Sequence, residues 1–151
     1  LTASDLMTPR TALTYLQGNR TLAESRVDIA NSQHTRIIVI EESLDRVIGL
    51  ALKDELLTAM VEGKRDRKIA DFTRKVRFVP ETIRADRLLK SFQKSRSHLV
   101  VVVDEYGTVS GVVTLEDVLE ILTGEIVDET DRIIDLQAAA RNRLARMLKI
   151  Q

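Results

Sequence analysis

Seven consecutive residues, Gly111-Val112-Val113-Thr114-Leu115-Glu116-Asp117, place a threonine at the end of an apolar run and an aspartate three positions later. If a helix starts at the threonine, this spacing turns both side chains toward one mouth, beside the free backbone N–H groups of a helix N-terminus. Such groups suit phosphate or another anion. An ionised aspartate only accepts hydrogen bonds, so it suits a neutral donor such as the paired hydroxyls of a ribose. The same spacing also describes an ordinary N-cap threonine followed by an acid that favours the helix dipole. On spacing alone both readings stand.

The elements that must position these residues occur twice. Shifting the chain by 62 positions lays residues 35–57 on residues 97–119 without a gap. Val39 meets Val101, Val47 meets Val109, Gly49 meets Gly111 and Leu57 meets Leu119, and the acids Glu42, Asp54 and Glu55 meet Asp104, Glu116 and Asp117. Upstream of residue 35 the match continues with a one-residue slip. Each half reads as a short β segment (Leu13 to Leu16; Val76 to Val79), a helix, an apolar strand, a polar turn, a second strand ending at the glycine, and an acid-started helix (Asp54 to Val61; Glu116 to Leu122). Four or five apolar residues in a row signal a strand buried on both faces. In the second half Thr82 is the predicted N-cap, with Leu88, Leu89 and Phe92 on one face. In the first, Thr21 is predicted to start the helix with Val27 and Ala30 inward.

The predicted fold class is mixed α/β: tandem β-α-β-β-α repeats related by a pseudo-twofold axis, plus a C-terminal helix. The boundaries are 3–61 for the first repeat, 62–70 for a charged linker, 71–124 for the second repeat, and 125–151 for an acidic segment and an amphipathic helix. About 55 residues bury too little surface to stand alone, so the halves should share a core. In the tail, Ile133, Leu136, Ala140, Leu144 and Met147 form one apolar stripe, Asp131 is the predicted N-cap, and Arg141, Arg143, Arg146 and Lys149 favour the C-terminal dipole. This helix is expected to pack on its own module or on a dimer of it.

Composition narrows the chemistry. Lysine plus arginine and aspartate plus glutamate number 23 each, which argues against a globally basic nucleic-acid binder. There is no cysteine, so there is neither a disulfide, nor a thiolate metal site, nor a cysteine nucleophile. His34 and His98 are the only histidines, too few for a histidine-rich metal cluster. The apolar run Leu99 to Val103 is far short of the ~20 residues that span a bilayer, and the chain as given is expected to be soluble. It begins at Leu1, which suggests a piece of a longer protein. No G-x-S-x-G elbow, phosphate loop or H-E-x-x-H motif occurs, and the carboxylates read as helix starts and turns, so no catalytic residue and no metal ligand is predicted.

The repeat with its strand-end glycine, threonine and first-turn aspartate resembles the CBS (cystathionine-β-synthase) repeat. Met7-Thr8-Pro9-Arg10-Thr11 and His34-Thr35-Arg36-Ile37 resemble the first repeat of the CorC/HlyC/cyclin M group. Val103-Asp104-Glu105-Tyr106-Gly107, Thr114 to Val118 and Glu125 to Asp131 resemble its second. The resemblance covers residues 3–131. It implies a regulatory module, not an enzyme, that binds AMP or ATP, with or without Mg2+, forms a homodimer, and follows a transmembrane domain implicated in divalent-cation transport. It places the module on the cytoplasmic side of the cell membrane. Carried over by position, Asp117 accepts from the ribose hydroxyls, Thr114 lies near ribose or phosphate, and Arg36 approaches the phosphates with Thr35 beside it. Thr11, His34 and Ile37 line the adenine end. Leu52 and Glu55 stand where the second repeat has Thr114 and Asp117, so one working site is expected. Ile38 replaces the proline usual after Arg36-Ile37. The alternative is a structural dimerisation module whose nucleotide site has decayed.

Overall fold

The computed structural model describes residues 1–130 and 134–149, and the side chains of residues 1–124 and 140–148. The apolar runs become central strands, as their composition requires. A three-stranded sheet has the order β2 (Tyr15–Gln17), β3 (Arg36–Glu41), β4 (Ser43–Leu52). A four-stranded sheet has the order β1 (Thr8–Pro9), β7 (Val109–Thr114), β6 (Leu99–Val103), β5 (Arg77–Pro80). In both, the outer strand runs parallel to the apolar strand, and the following strand returns antiparallel.

Strand side chains alternate between faces, and this divides the interior into three cores. Ile37 and Val39 point to one side of β3, among Ile29 of α2 (Arg26–Asn31) and Leu56 of α3 (Lys53–Val61). Val100 and Val102 do the same against Leu88 and Phe92 of α4 (Ala85–Ser95) and Val118 of α5 (Leu115–Thr130). Ile38, Ile40, Leu99 and Val101 point the other way and meet each other between the sheets. The result is helices, sheet, sheet, helices, with the two halves sharing the middle core.

The glycines aligned by the repeat have matching jobs. A β-carbon at Gly49 would collide with the Arg74 carbonyl, and one at Gly111 with the Thr8 carbonyl. At each position another segment crosses the strand backbone directly, and only glycine leaves room. Ladder irregularities accompany both crossings, between Val39 and Ile40 and between Val102 and Val103.

The crossing segments revise the sequence-based boundaries. Residues 3–9, expected to open the first repeat, build onto the second: β1 pairs with β7, the Ala3 N–H donates to the Ile83 carbonyl at 2.8 Å, and Ala3 is fully buried in the second repeat's core. Residues 65–74, read partly as a solvated linker, pair along the first repeat. Leu22 N–H donates to the Arg67 carbonyl at 2.9 Å, Ile69 N–H to Arg20 at 2.9 Å, and Arg74 and Leu50 exchange bonds at 2.8 and 3.0 Å. The buried Ile69 anchors this stretch, a signal its charged neighbours hide.

Helix phases also differ from the reading at two places. Thr21 begins a turn closed by Glu24, and the regular helix starts only at Arg26. That delay rotates the inward face, so Leu22 and Ile29 are buried while Val27 is 60% exposed and Ala30 faces solvent. In the second half Arg84, not Thr82, is the N-cap of α4. The C-terminal helix α6 (Ile134–Lys149) packs against α5, and its Ala140 is buried and Leu148 touches the second repeat's core. Asp131 and Ile133 lie outside the described residues, as does the side chain of Leu136.

One helix start, at Thr2, and one turn, at Thr21, are acid-capped. The Asp5 carboxyl accepts from the Thr2 backbone N–H and hydroxyl, and Glu24 accepts likewise from Thr21, which lowers both from 3.8 and 4.5, respectively. A depressed folded pKa contributes stability above the unfolded value, and that stability is lost as pH falls through the folded one. Carboxyl titration by NMR should find both midpoints below those reference values.

Candidate functional site

The strand ends leave a cleft of about 310 Å³ between the sheets, at the lower end of the ~300–1,000 Å³ range of small-molecule sites. Its floor is apolar: Ile38, Leu99 and Val112, all nearly fully buried. Gln33, His34 and Thr35 enter from the loop before β3, Arg36 from the first position of β3, and Thr114, Glu116 and Asp117 from the β7–α5 junction. Thr8, Leu13 and Thr14 complete the wall.

At the β7–α5 junction, Thr114 and Asp117 cap the helix reciprocally. The Asp117 N–H donates to Thr114 Oγ1 at 3.2 Å, and the Thr114 N–H donates to Asp117 Oδ2 at 3.4 Å. The capping arrangement is thus real, and it also orients the carboxylate. Among the described residues only Oδ2 is engaged, which leaves Oδ1 to accept from a hydroxyl in the cleft. The two readings of this spacing are therefore compatible.

Across the cleft, the Arg36 side chain is three-quarters buried, with Nη1 3.9 Å from Glu116 Oε1. His98 Nδ1 lies 3.6 Å from the same oxygen. The lining thus holds one arginine against two carboxylates, Glu116 and Asp117. Glu116 was missed in the sequence, where it reads as one more acid in a first helical turn. Its position next to Arg36 follows from the sheet pairing, in which β3 and β6 face each other, and no local spacing shows it.

Five of the seven residues assigned from sequence line the cleft together: His34, Thr35, Arg36, Thr114 and Asp117. Two do not. Ile37 is buried on the opposite face of β3, because alternate strand residues face opposite ways, and Ile38 takes its place. Thr11 sits exposed on a 3-10 turn (Arg10–Ala12), while Thr8, Leu13 and Thr14 on either side reach the cleft.

The equivalent corner of the first repeat is a more open hollow whose lining includes Thr35, Arg36, Leu52 and Glu55. There Leu52 offers no hydroxyl, and the Glu55 carboxylate is engaged by the Arg74 guanidinium. Lys53, at the position of Leu115, donates through Nζ to the carbonyls of Ala30 and Ser32. Among the described residues, no cluster of three or more metal-binding side chains forms.

The solved CBS domain of a bacterial CNNM/CorC family Mg2+ transporter in complex with ATP superposes with a TM-score of 0.77 at 34% identity, over 82% of this chain and 87% of that one. The chain belongs to the CBS domains of the CNNM/CorC transporter family. A CBS-domain pair with bound AMP from Klebsiella pneumoniae also matches, with a TM-score of 0.74 and 31% identity over 81% of this chain and 98% of that one. The CBS-domain family profile matches residues 69–124. Among curated relatives, a UPF0053 protein of Synechocystis is 58% identical over 99% of this chain, and the magnesium and cobalt efflux protein CorC of Escherichia coli is 40% identical over 87%. The module spans 43–45% of the length of these two relatives. Among the described residues no helix is long and apolar enough to cross a membrane.

Proposed function

We propose that this CBS module is a non-catalytic sensor of adenine nucleotide that lies on the cytoplasmic side and controls an attached membrane domain handling Mg2+ or another divalent cation. The observation that carries the reading is the meeting of Thr35 and Arg36 from one repeat with Thr114 and Asp117 from the other on a single cleft. Asp117 Oδ1 accepts from the ribose hydroxyls, Thr114 lies beside the ribose or phosphate, and Arg36 faces the phosphates as a fixed charge. His34, Thr14 and the apolar floor at Ile38 hold the base. The ligated solved structures, one with ATP and one with AMP, support this choice of ligand. A homodimer is part of the proposal, as is the division into repeats at residues 3–61 and 71–124, with the exchange of segments described above.

Control of the attached domain requires that nucleotide bind two states of the assembly unequally. The direct test of binding is a calorimetric titration with AMP and with ATP, each with and without Mg2+, which should give one site per chain. A ligand that binds only the folded state must also raise the melting temperature. Silence of every nucleotide in both measurements would favour the structural dimerisation module, a reading prompted by Leu52 and Glu55 in the first repeat.

Glu116 sets the charge balance of the cleft. Two unit charges 4 Å apart interact by about 1 kcal/mol in bulk water, so Glu116→Gln should raise affinity for Mg2+-free ATP roughly fivefold. AMP, with fewer charges, should gain less. Calorimetry at low salt measures both.

A further inference from the structure

Helix α4 buries Ala85, Leu88 and Phe92 in its own repeat's core, which leaves a second face outward. That face carries Arg84, Arg87, Lys90 and Lys94 at three- and four-residue spacing. Arg77 of β5 joins it, donating through Nη1 to the Ser91 carbonyl at 3.1 Å. Arg77, Arg87, Lys90 and Lys94 line a shallow groove of about 600 Å³ whose lining holds no carboxylate. Arg84 pairs with Asp86 at 3.4 Å. Among the described residues no carboxylate lies within ion-pair distance of the other four. In a chain with a net charge of zero, this is a concentrated local asymmetry.

We propose that this face rests on an anionic phospholipid surface. Ten residues of helix separate Arg84 from Lys94, a reach of ~15 Å, so the cations are spread across an extended surface and do not converge on one phosphate. The groove lining holds no aromatic side chain on which a nucleic-acid base could stack. The apolar face of α4 is committed to the core, so contact with lipid is by charge alone and must be salt-sensitive. The transporter family to which the module belongs places an anionic leaflet within reach, and juxtamembrane basic clusters are attracted to such leaflets.

The test is sedimentation of the whole chain with large vesicles. Binding is expected to vesicles of phosphatidylcholine with about 30% phosphatidylglycerol, to be absent with phosphatidylcholine alone, and to be lost between ~0.1 M and ~0.5 M salt. The triple variant Arg87→Glu/Lys90→Glu/Lys94→Glu should partition at least roughly tenfold less at low salt, with an unchanged circular dichroism spectrum. The milder Lys90→Gln/Lys94→Gln should fall between. Absence of phosphatidylglycerol-dependent binding, or equal partition of wild type and triple variant, overturns the proposal. So does displacement from anionic vesicles by a short RNA duplex at equal phosphate concentration, which would assign the face to nucleic acid. None of these outcomes depends on the nucleotide cleft.

Discussion

Asp117→Ala is expected to weaken AMP or ATP binding by about 1.5–3 kcal/mol, roughly 10- to 150-fold, the scale of hydrogen bonds to a charged group. The carboxylate is fixed by its own helix: Oδ2 receives the Thr114 N–H while Oδ1 is left for the ligand. Alanine therefore removes both the acceptor and part of the helix cap, and some loss of stability accompanies the loss of affinity. Asp117→Asn separates the two effects, since its amide oxygen still accepts but carries no charge, and its affinity should fall between those of wild type and alanine. Glu55 supplies the internal control. Its carboxylate is the positional counterpart of Asp117, yet it is held by Arg74 and has leucine in place of threonine beside it. Glu55→Ala should leave nucleotide affinity unchanged in the same calorimeter. Equal affinity of wild type and Asp117→Ala would overturn the site, and a loss in Glu55→Ala would move the working site to the first repeat.

What could be read from the sequence was what depends on local order. The apolar blocks Ile37 to Ile40 and Leu99 to Val102, the aligned glycines and the first-turn acids identify two copies of one unit, because strand burial and helix starts are written within a few residues. The facing pairs were less accessible. Whether Ile37 or Ile38 looks into the cleft is a question of strand parity, which an all-apolar run leaves undetermined. The delayed start of α2 at Arg26 shifted the helical phase and exchanged Val27 for Ile29 on the inner face. Glu116 is invisible to any local rule, since its meeting with Arg36 joins residues 80 positions apart through the packing of two sheets. The exchange of N-terminal segment and linker between halves was also hidden. A two-residue strand such as Thr8–Pro9 has no periodicity to detect, and residues 65–68 look solvated from their charges while the Arg65 and Arg67 carbonyls accept from Ala23 and Leu22.

That exchange is what makes Gly111 the most demanding position for stability. The Thr8 carbonyl passes directly over it, and Thr8 and Pro9 pair with Val112 and Gly111 in β7. Gly111→Val should cost about 3 kcal/mol, the upper end of overpacking penalties, because the added carbons meet backbone that no rotamer change can clear. For a domain of this size that corresponds to a fall in melting temperature of roughly 6–12 °C. Gly49→Val should cost about as much by the same mechanism, its obstruction being the Arg74 carbonyl. The two variants should differ in ligand binding. Thr8 lines the nucleotide cleft, so displacing β1 at Gly111 distorts the working site, whereas Arg74 pairs with Glu55 in the first repeat. Below the melting transition, Gly111→Val should therefore also lose nucleotide affinity, and Gly49→Val should keep it. Gly124, within α5 and with open space around its added β-carbon, gives the opposite sign: alanine there should stabilise by about 0.5–1 kcal/mol. Differential scanning calorimetry of the three variants, with and without AMP, distinguishes a crossing that holds the halves together from a glycine that is merely tolerated. A Gly111→Val protein that melts with the wild type would show that β1 does not lie on β7 as described.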